Sequence, residues 1–394
     1  MTLHRSIVRL LINEPMPLAY LQAATSVSLP TLRKAVQELL DSGWIRVVGQ
    51  SEANGGRPAM LFGLDDRFYL VIGVHFQLPG IRLITSDLAG QVLDESEMFG
   101  QVVPSPGDVV NAIAAYVTRI QATYRDRPLL GIGIATPGFT DPDTGDILTI
   151  GRVPGWQNFP VCRRLQASTR LPVYAANDVD CMAFAEFQHT NESHEQNLAY
   201  VGFDEGVKVS LFFGGKLYKG SLGNPGLIAS SLLHVDGVDD RHEVHELLTI
   251  VGLNQMFERR MEGLNETERQ AYLPVLAASP RQRVPLILMG AVERLPVCRE
   301  MAQKLIQALS AAVANVIYFV QPDIIVMGGV LSLMPGELFT DLRMAIAAQL
   351  PTLMDNHVII QQARLSSPNS AALGATQHFL QSYLTDAFVV VPQL

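Results

Sequence analysis

The sequence predicts an α/β protein in two parts: a small helix-rich head and a larger body built in two halves. Three observations predict this. Apolar residues recur at helical spacing through the first forty residues, then give way to two alternating strands around a glycine-rich turn. From Phe68 onward, apolar β-rich runs alternate with segments of helical period. The chain has 394 residues, more than one ordinary core organises.

The composition sets limits on function. Hydrophobic residues make up 48% and charged residues 17%, a globular rather than a disordered balance. The net charge of −9 argues against the whole surface binding nucleic acid. The charge is uneven, however. Residues 1–64 carry six Lys or Arg against four Asp or Glu, and the rest carry 23 against 34. A slightly basic head on an acidic body fits a local nucleic-acid surface. The three cysteines, Cys162, Cys181 and Cys298, form no CxxC, which argues against a disulfide framework or a Cys-rich zinc site. The start, MTLHRSIVRLLINEP, lacks a signal-peptide pattern. The most apolar run, residues 305–320, includes Gln307, Ser310 and Asn315 and is too short for a bilayer span. It reads as a buried core helix, and the expectation is a cytoplasmic protein with no membrane partner.

In the head, Leu3, Ile7, Leu10 and Leu11 mark a first helix ending near Asn13, and EPMP breaks it. A second helix carries Leu18, Leu21 and Ala24. Ser28 is a good N-cap for a third, with Pro30 in its first turn. Leu32, Ala35, Val36, Leu39 and Leu40 form its buried face, and Gly43 ends it. Thr31, Arg33, Lys34 and Gln37 are left on the exposed side, where such side chains reach base edges and phosphates. WIRVV and AMLFGL flank GQSEANGGRP as a hairpin, with Arg57 placed for a phosphate or a minor groove. This is the pattern of a winged helix-turn-helix. The competing reading is a three-helix protein-interaction module. One such head grips one half-site, so a dimer on a palindromic operator is expected.

The body's runs include YLVIGVHF, IRLITSDLAGQVL, LLGIGIATPG, LPVYAANDVDCMAFAEF, NLAYVGFDEGVKVSLFFGGKLYKG and PDIIVMGGVLS. Hairpins alternating with helices predict two α/β halves with a cleft. The order TLRKAVQELLDSGWI, GGRPAMLFGLD, ATPGFTDPDTGDI, PVYAANDVDCMAFAE, PDIIVMGGVLS and NSAALGATQHFL resembles the ROK family of repressors and sugar kinases, from about residue 5 to about residue 380. The resemblance implies an actin-like body of the sugar-kinase and ribonuclease H type behind the winged helix-turn-helix of the repressor branch. The expected divisions are 1–64 for the head, 65–185 for the first lobe, completed by about 372–394, and 186–371 for the second lobe, with dimerisation and a ligand cleft.

The departures from the family are informative. Where its kinases carry an Asp-x-Gly-Gly-Thr phosphate turn, this chain has GVHFQLPGIRL, with His75 near the Asp position. A second phosphate loop becomes GFDEGVKVSLF, so Asp204 and Glu205 bring negative charge where phosphates would sit. An anion beside a phosphate at ~4 Å costs about 4 kcal/mol near a surface. Gly328 and Gly329 remain near the family's adenosine site. The Cys-rich zinc run is replaced by HVDGVDDRHEVHELL, read as a polar loop with no metal, although His234, His242 and His245 leave a His/Asp site conceivable.

The sugar-binding pattern is half kept. Asn177 and Asp178 match the family's pair, in which Asn holds sugar hydroxyls and Asp is the kinase base. From spacing alone, Asp178 also reads as a helix N-cap. Gly138 matches a backbone contact, and Glu246 aligns with a sugar-binding Glu. Leu227 replaces a family Glu and Ser230 a family His. The leading reading is a transcriptional repressor whose non-catalytic body senses a sugar or sugar derivative, with no cofactor, as a homodimer or dimer of dimers. The alternatives are an active sugar kinase with a regulatory head and a DNA-binding protein whose body binds only another protein.

Overall fold

The computed structural model describes residues 2–51, 58–100, 102–151, 153–190, 197–204, 206–228, 246–365 and 368–386. The chain divides into two compact units, Met1–Ala176 with Ala372–Leu394, and Asn177–Ala371.

The first unit opens with helices Leu3–Asn13, Leu18–Thr25 and Leu29–Asp41, followed by antiparallel strands Ile45–Gln50 and Met60–Leu64. Ser28 caps the third helix by accepting the Thr31 N–H at 3.4 Å. Leu32, Ala35, Val36 and Leu39 face the core as periodicity requires, while Leu40 is half-buried and Ala24 is exposed. The EPMP break adds a short strand, Met16–Pro17, paired with Leu61 and Phe62. Trp44 is not a strand residue. It is buried and closes the turn after the third helix, where its N–H donates to Leu39.

Behind the head lies a five-stranded sheet in the order Val173–Asn177, Leu129–Thr136, Leu70–Gln77, Gly80–Asp87 and Val92–Phe99. Leu70–Gln77 pairs parallel with Leu129–Thr136 and antiparallel with Gly80–Asp87. The run read as one segment, IRLITSDLAGQVL, therefore spans one strand, a turn and the start of the next. Helix Pro106–Thr123 buries Val109, Ile113, Tyr116, Val117 and Ile120 in the same core as Ile72, Val74 and Ile134.

The C-terminal helix Ser370–Asp386 packs on this sheet through glycines. A Cβ on Gly73 would stand 2.1 Å from the Ala372 carbonyl oxygen, and one on Gly133 would stand 2.0 Å from that of Ala375. Only glycine lets backbone approach so closely. The apolar core of the head then runs without a break into this helix through Trp44, Tyr69, Phe379 and Tyr383.

The second unit has a sheet ordered Lys216–Leu217, Val207–Phe213, Leu198–Phe203, Ile324–Gly329 and Ile359–Gln362. Helices Ile250–Glu262, Pro280–Val292, Pro296–Val320 and Gly336–Ala347 complete its core. Pro296–Val320 is long and apolar enough to cross a membrane by length and composition. Leu305, Leu309, Val313 and Ile317 are among its apolar side chains buried in this core, while Phe319 near its end is exposed. The units part between Ala176 and Asn177, not near 185. The physical reason is helix Asp178–Thr190, which packs on the second unit's sheet: Phe184 and Phe187 meet Phe212 at 5.4 and 4.6 Å between ring centroids.

Candidate functional site

The head presents Thr31, Arg33, Lys34 and Gln37 on one exposed face of helix Leu29–Asp41. The alternation follows from the helix period, because buried Leu32, Ala35, Val36 and Leu39 occupy the other face. Two of these polar side chains have local acidic partners. Lys34 lies 3.9 Å from Glu38, which also accepts from His4 at 2.6 Å. Gln37 donates to Asp41 at 2.7 Å, and the Thr31 and Ser28 hydroxyls are 2.7 Å apart. Exposed pairs of this kind are worth under about 1 kcal/mol, so phosphates can replace them. Arg57, assigned to the hairpin, lies outside the described residues, as does Glu205.

Four of the predicted ligand residues, Asn177, Asp178, Leu227 and Glu246, lie in the second unit near strand Val207–Phe213. Asn177 ends strand Val173–Asn177, and Asp178 opens the next helix. Both are buried. The Val179 N–H is shared by the two side chains, at 3.0 Å from Asn177 Oδ1 and 2.8 Å from Asp178 Oδ1. The helix N-terminus is thus capped by Asn177 as well as by Asp178. Burial pushes the Asp178 carboxyl above its ordinary value, and Lys208 and Arg281 pull it partly back.

The same strand carries two residues that the sequence reading missed. The Lys208 ammonium is buried, 2.7 Å from Asp180 Oδ1 and 3.0 Å from Asn177 Oδ1. The Ser210 hydroxyl donates to Asp180 Oδ1 at 2.5 Å. A lone lysine inside VKVSLFF, where every neighbour suits a buried strand, was the available signal. Asp204 is buried as well, but its charge is met by an ion pair with Arg281 on helix Pro280–Val292. The extra negative charge expected at the phosphate loop is therefore compensated within the fold at Asp204.

Leu227 and Glu246 flank this strand on separate segments. The Val209 N–H donates to the Gly226 carbonyl at 2.8 Å, so Leu227 follows directly beside it, partly exposed. The Val207 N–H donates to Leu248 at 2.9 Å, two residues after Glu246. Glu246 is held by Arg259, 2.7 Å from its Nη2 and 3.4 Å from its Nη1. Gly138 belongs to the first unit, in the turn after strand Leu129–Thr136. Its φ is +82°, and a Cβ there would stand 2.1 Å from the Thr149 carbonyl oxygen, so glycine is required by the backbone alone. Gly328 and Gly329 also have a packing reason. A Cβ on Gly328 would overlap the buried Tyr200 ring, whose hydroxyl accepts the Gly329 N–H at 3.3 Å. Ser230 and the loop with His234, His242 and His245 lie outside the described residues.

The architecture is that of an actin-like α/β body behind a small helical head. Residues 71–234 match the sequence profile of the ROK family. It is 22% identical over 317 residues to the xylose repressor of Caldicellulosiruptor bescii, spanning 79% of this chain and 78% of that one. Its fold is similar to that of a solved ROK family transcriptional regulator, a homolog of the E. coli MLC protein, with a TM-score of 0.78 and 18% identity over 97% of both chains. A ROK hexokinase from Thermus thermophilus matches with a TM-score of 0.59 and 21% identity, over 79% of this chain and 99% of its own.

Proposed function

We propose that this chain is a ROK-family transcriptional repressor that reads a palindromic operator as a homodimer or dimer of dimers. The observation that carries the reading is the exposed polar face of helix Leu29–Asp41, set in front of a ROK-family body. Arg33 is the base reader, able to pair with a guanine edge, and Lys34, Gln37, Ser28 and Thr31 contact phosphates and flanking edges. Arg57 of the hairpin adds a groove or phosphate contact. Selection from a random-sequence duplex pool tests the reading. Binding to a defined sequence that weakens with added salt and with Arg33→Ala supports it, and failure to select any sequence overturns it.

The body is proposed as a non-catalytic sensor of a sugar or polyol. The effector's hydroxyls bond to Asn177, Asp178 and Glu246, and its apolar side lies against Leu227. Displacing the Lys208 ammonium from Asn177 is part of this binding. Effector binding changes operator affinity by about 5- to 150-fold, the ordinary range of allosteric coupling. A thermal-shift screen of sugars and sugar phosphates identifies the class, since a ligand that binds only the folded state raises Tm.

An active sugar kinase remains the second reading because the Asn177–Asp178 pair is kept. It requires sugar-dependent ATP consumption that is lost in Asp178→Asn. Positioning and charge stabilisation of the phosphates carry nearly all kinase catalysis, and the sequence motifs that supply them are altered here.

A further inference from the structure

The head and the C-terminal helix share an aromatic stack that DNA reading does not require. Trp44 lies 4.5 Å from Tyr69 between ring centroids and is stacked on Tyr383 at 6.2 Å, 14° from parallel. Tyr383 stacks on Phe379 at 5.6 Å, and Phe379 meets the Tyr174 ring at 5.7 Å. The Tyr69 hydroxyl donates to the Ser42 carbonyl at 2.6 Å, in the turn that ends the third helix of the head. Arg5, on the first helix, donates to the Thr385 carbonyl. Burial pushes the Tyr69 hydroxyl up to about 12, with Tyr383 a smaller cause, so it stays a donor at physiological pH.

The far side of this stack cannot slide. The C-terminal helix touches Gly73 and Gly133 backbone to backbone, and the Phe379 ring lies where a Cβ on Gly131 would be, 2.4 Å away. Side chains that interdigitate this closely have one packing, not a continuum. The orientation of the head is therefore set by a helix that begins more than 300 residues later in the chain.

We propose that Tyr383, with Tyr69 and Trp44, is the determinant of operator half-site spacing, acting as a positioning residue that fixes the head on its lobe. The proposal rests on the reading of the head as a DNA reader and adds what selects the spacing. A head on a loose tether tolerates half-sites at several separations, because the tether absorbs the difference. A head bolted to its lobe does not. One base pair shifts a half-site by about 3.4 Å and by about a tenth of a helical turn.

The experiment uses the full chain and duplexes selected from a random pool by the natural protein. Spacer variants longer or shorter by one and two base pairs are compared with a single half-site, by fluorescence anisotropy. The natural protein is expected to lose about tenfold affinity or more per base pair of spacer change. Tyr383→Ala is expected to bind the single half-site like the natural protein, yet to discriminate spacers by less than about threefold. Tyr69→Phe removes only the hydroxyl and should give an intermediate loss. It also serves if Tyr383→Ala does not fold. Trp44 and Trp156 are the two tryptophans, so a Trp156→Phe background makes emission a report on Trp44 alone. In that background Tyr383→Ala should shift Trp44 emission to the red while far-UV circular dichroism is unchanged. Full spacer discrimination in both variants overturns the proposal, as does unchanged Trp44 emission in Tyr383→Ala. A natural protein that selects no duplex sinks the DNA reading itself, and this assignment with it.

Discussion

Helix Leu29–Asp41 of the head and the Asn177–Lys208 cluster of the body are both rich in polar side chains, but they use them in opposite ways. On helix Leu29–Asp41 the polar groups are exposed and their local partners are weak. In the cluster, Asp178, Asp180 and Lys208 are all buried, and Lys208 bonds both Asn177 and Asp180. The first arrangement costs little to keep open for a polyanion. The second has already used its charges on itself, so any ligand must offer equally good hydrogen bonds in exchange. The lesson is that a polar motif matched in sequence marks a candidate site, while burial and pairing decide whether it is open.

The largest expected effect tests the closed half of this contrast. Lys208→Met leaves Asp180 buried without its cation and should destabilise the protein by about 3–5 kcal/mol in denaturant unfolding. Lys208→Met with Asp180→Leu should recover most of that loss, because buried ion pairs are often replaceable by apolar residues. A single variant of natural stability would mean that the cluster is not the closed network described.

The open half predicts the reverse separation. Arg33→Ala should cost about 1–3 kcal/mol of operator binding and change Tm hardly at all. Equal losses of Tm and of binding would make Arg33 a structural residue. A smaller effect is expected at the start of the same helix. Ser28→Ala removes the cap that holds the Thr31 N–H and should cost about 1 kcal/mol of stability in chemical denaturation. Lys34→Ala should leave sequence preference intact and lower the slope of log affinity against log salt by about one.

The smallest effect is a slope in pH. Asp178 holds its proton more tightly folded than unfolded, because burial raises its value. The unfolded chain then binds fewer protons, so this residue's contribution to stability falls as pH rises from the ordinary carboxylate range through the raised value. Asp178→Asn lacks the effect. Its Tm relative to the natural protein should therefore rise as pH climbs above the ordinary carboxylate range, and a flat difference would show that Lys208 and Arg281 fully compensate the buried carboxylate.

Local order in the head was legible in the sequence because its signals act within a turn or two. The leucine spacing, the Ser28 cap, Pro30 and Gly43 each constrain neighbouring backbone, and the three helices fall where these residues put them. The body's strands were legible for the same reason, from apolar runs bounded by glycine and proline. The short strand at Met16–Pro17 was not, because its two residues gain a strand only from partners at Leu61 and Phe62. Nor was the crossing between units, since 178–190 reads as a helix wherever it packs.

The sequence alone determined which residues form the exposed face of helix Leu29–Asp41 and that Asn177 and Asp178 stand at a strand-to-helix junction. Those follow from periodicity and from neighbours in the chain. Only the tertiary structure decided that Lys208 meets Asp180 and Asn177, that Arg281 answers Asp204 from 77 residues away, and that Tyr383 stacks on Trp44. Each of those contacts joins residues brought together by sheet register and helix packing, and a charge or a ring carries no local mark of the partner that burial will give it.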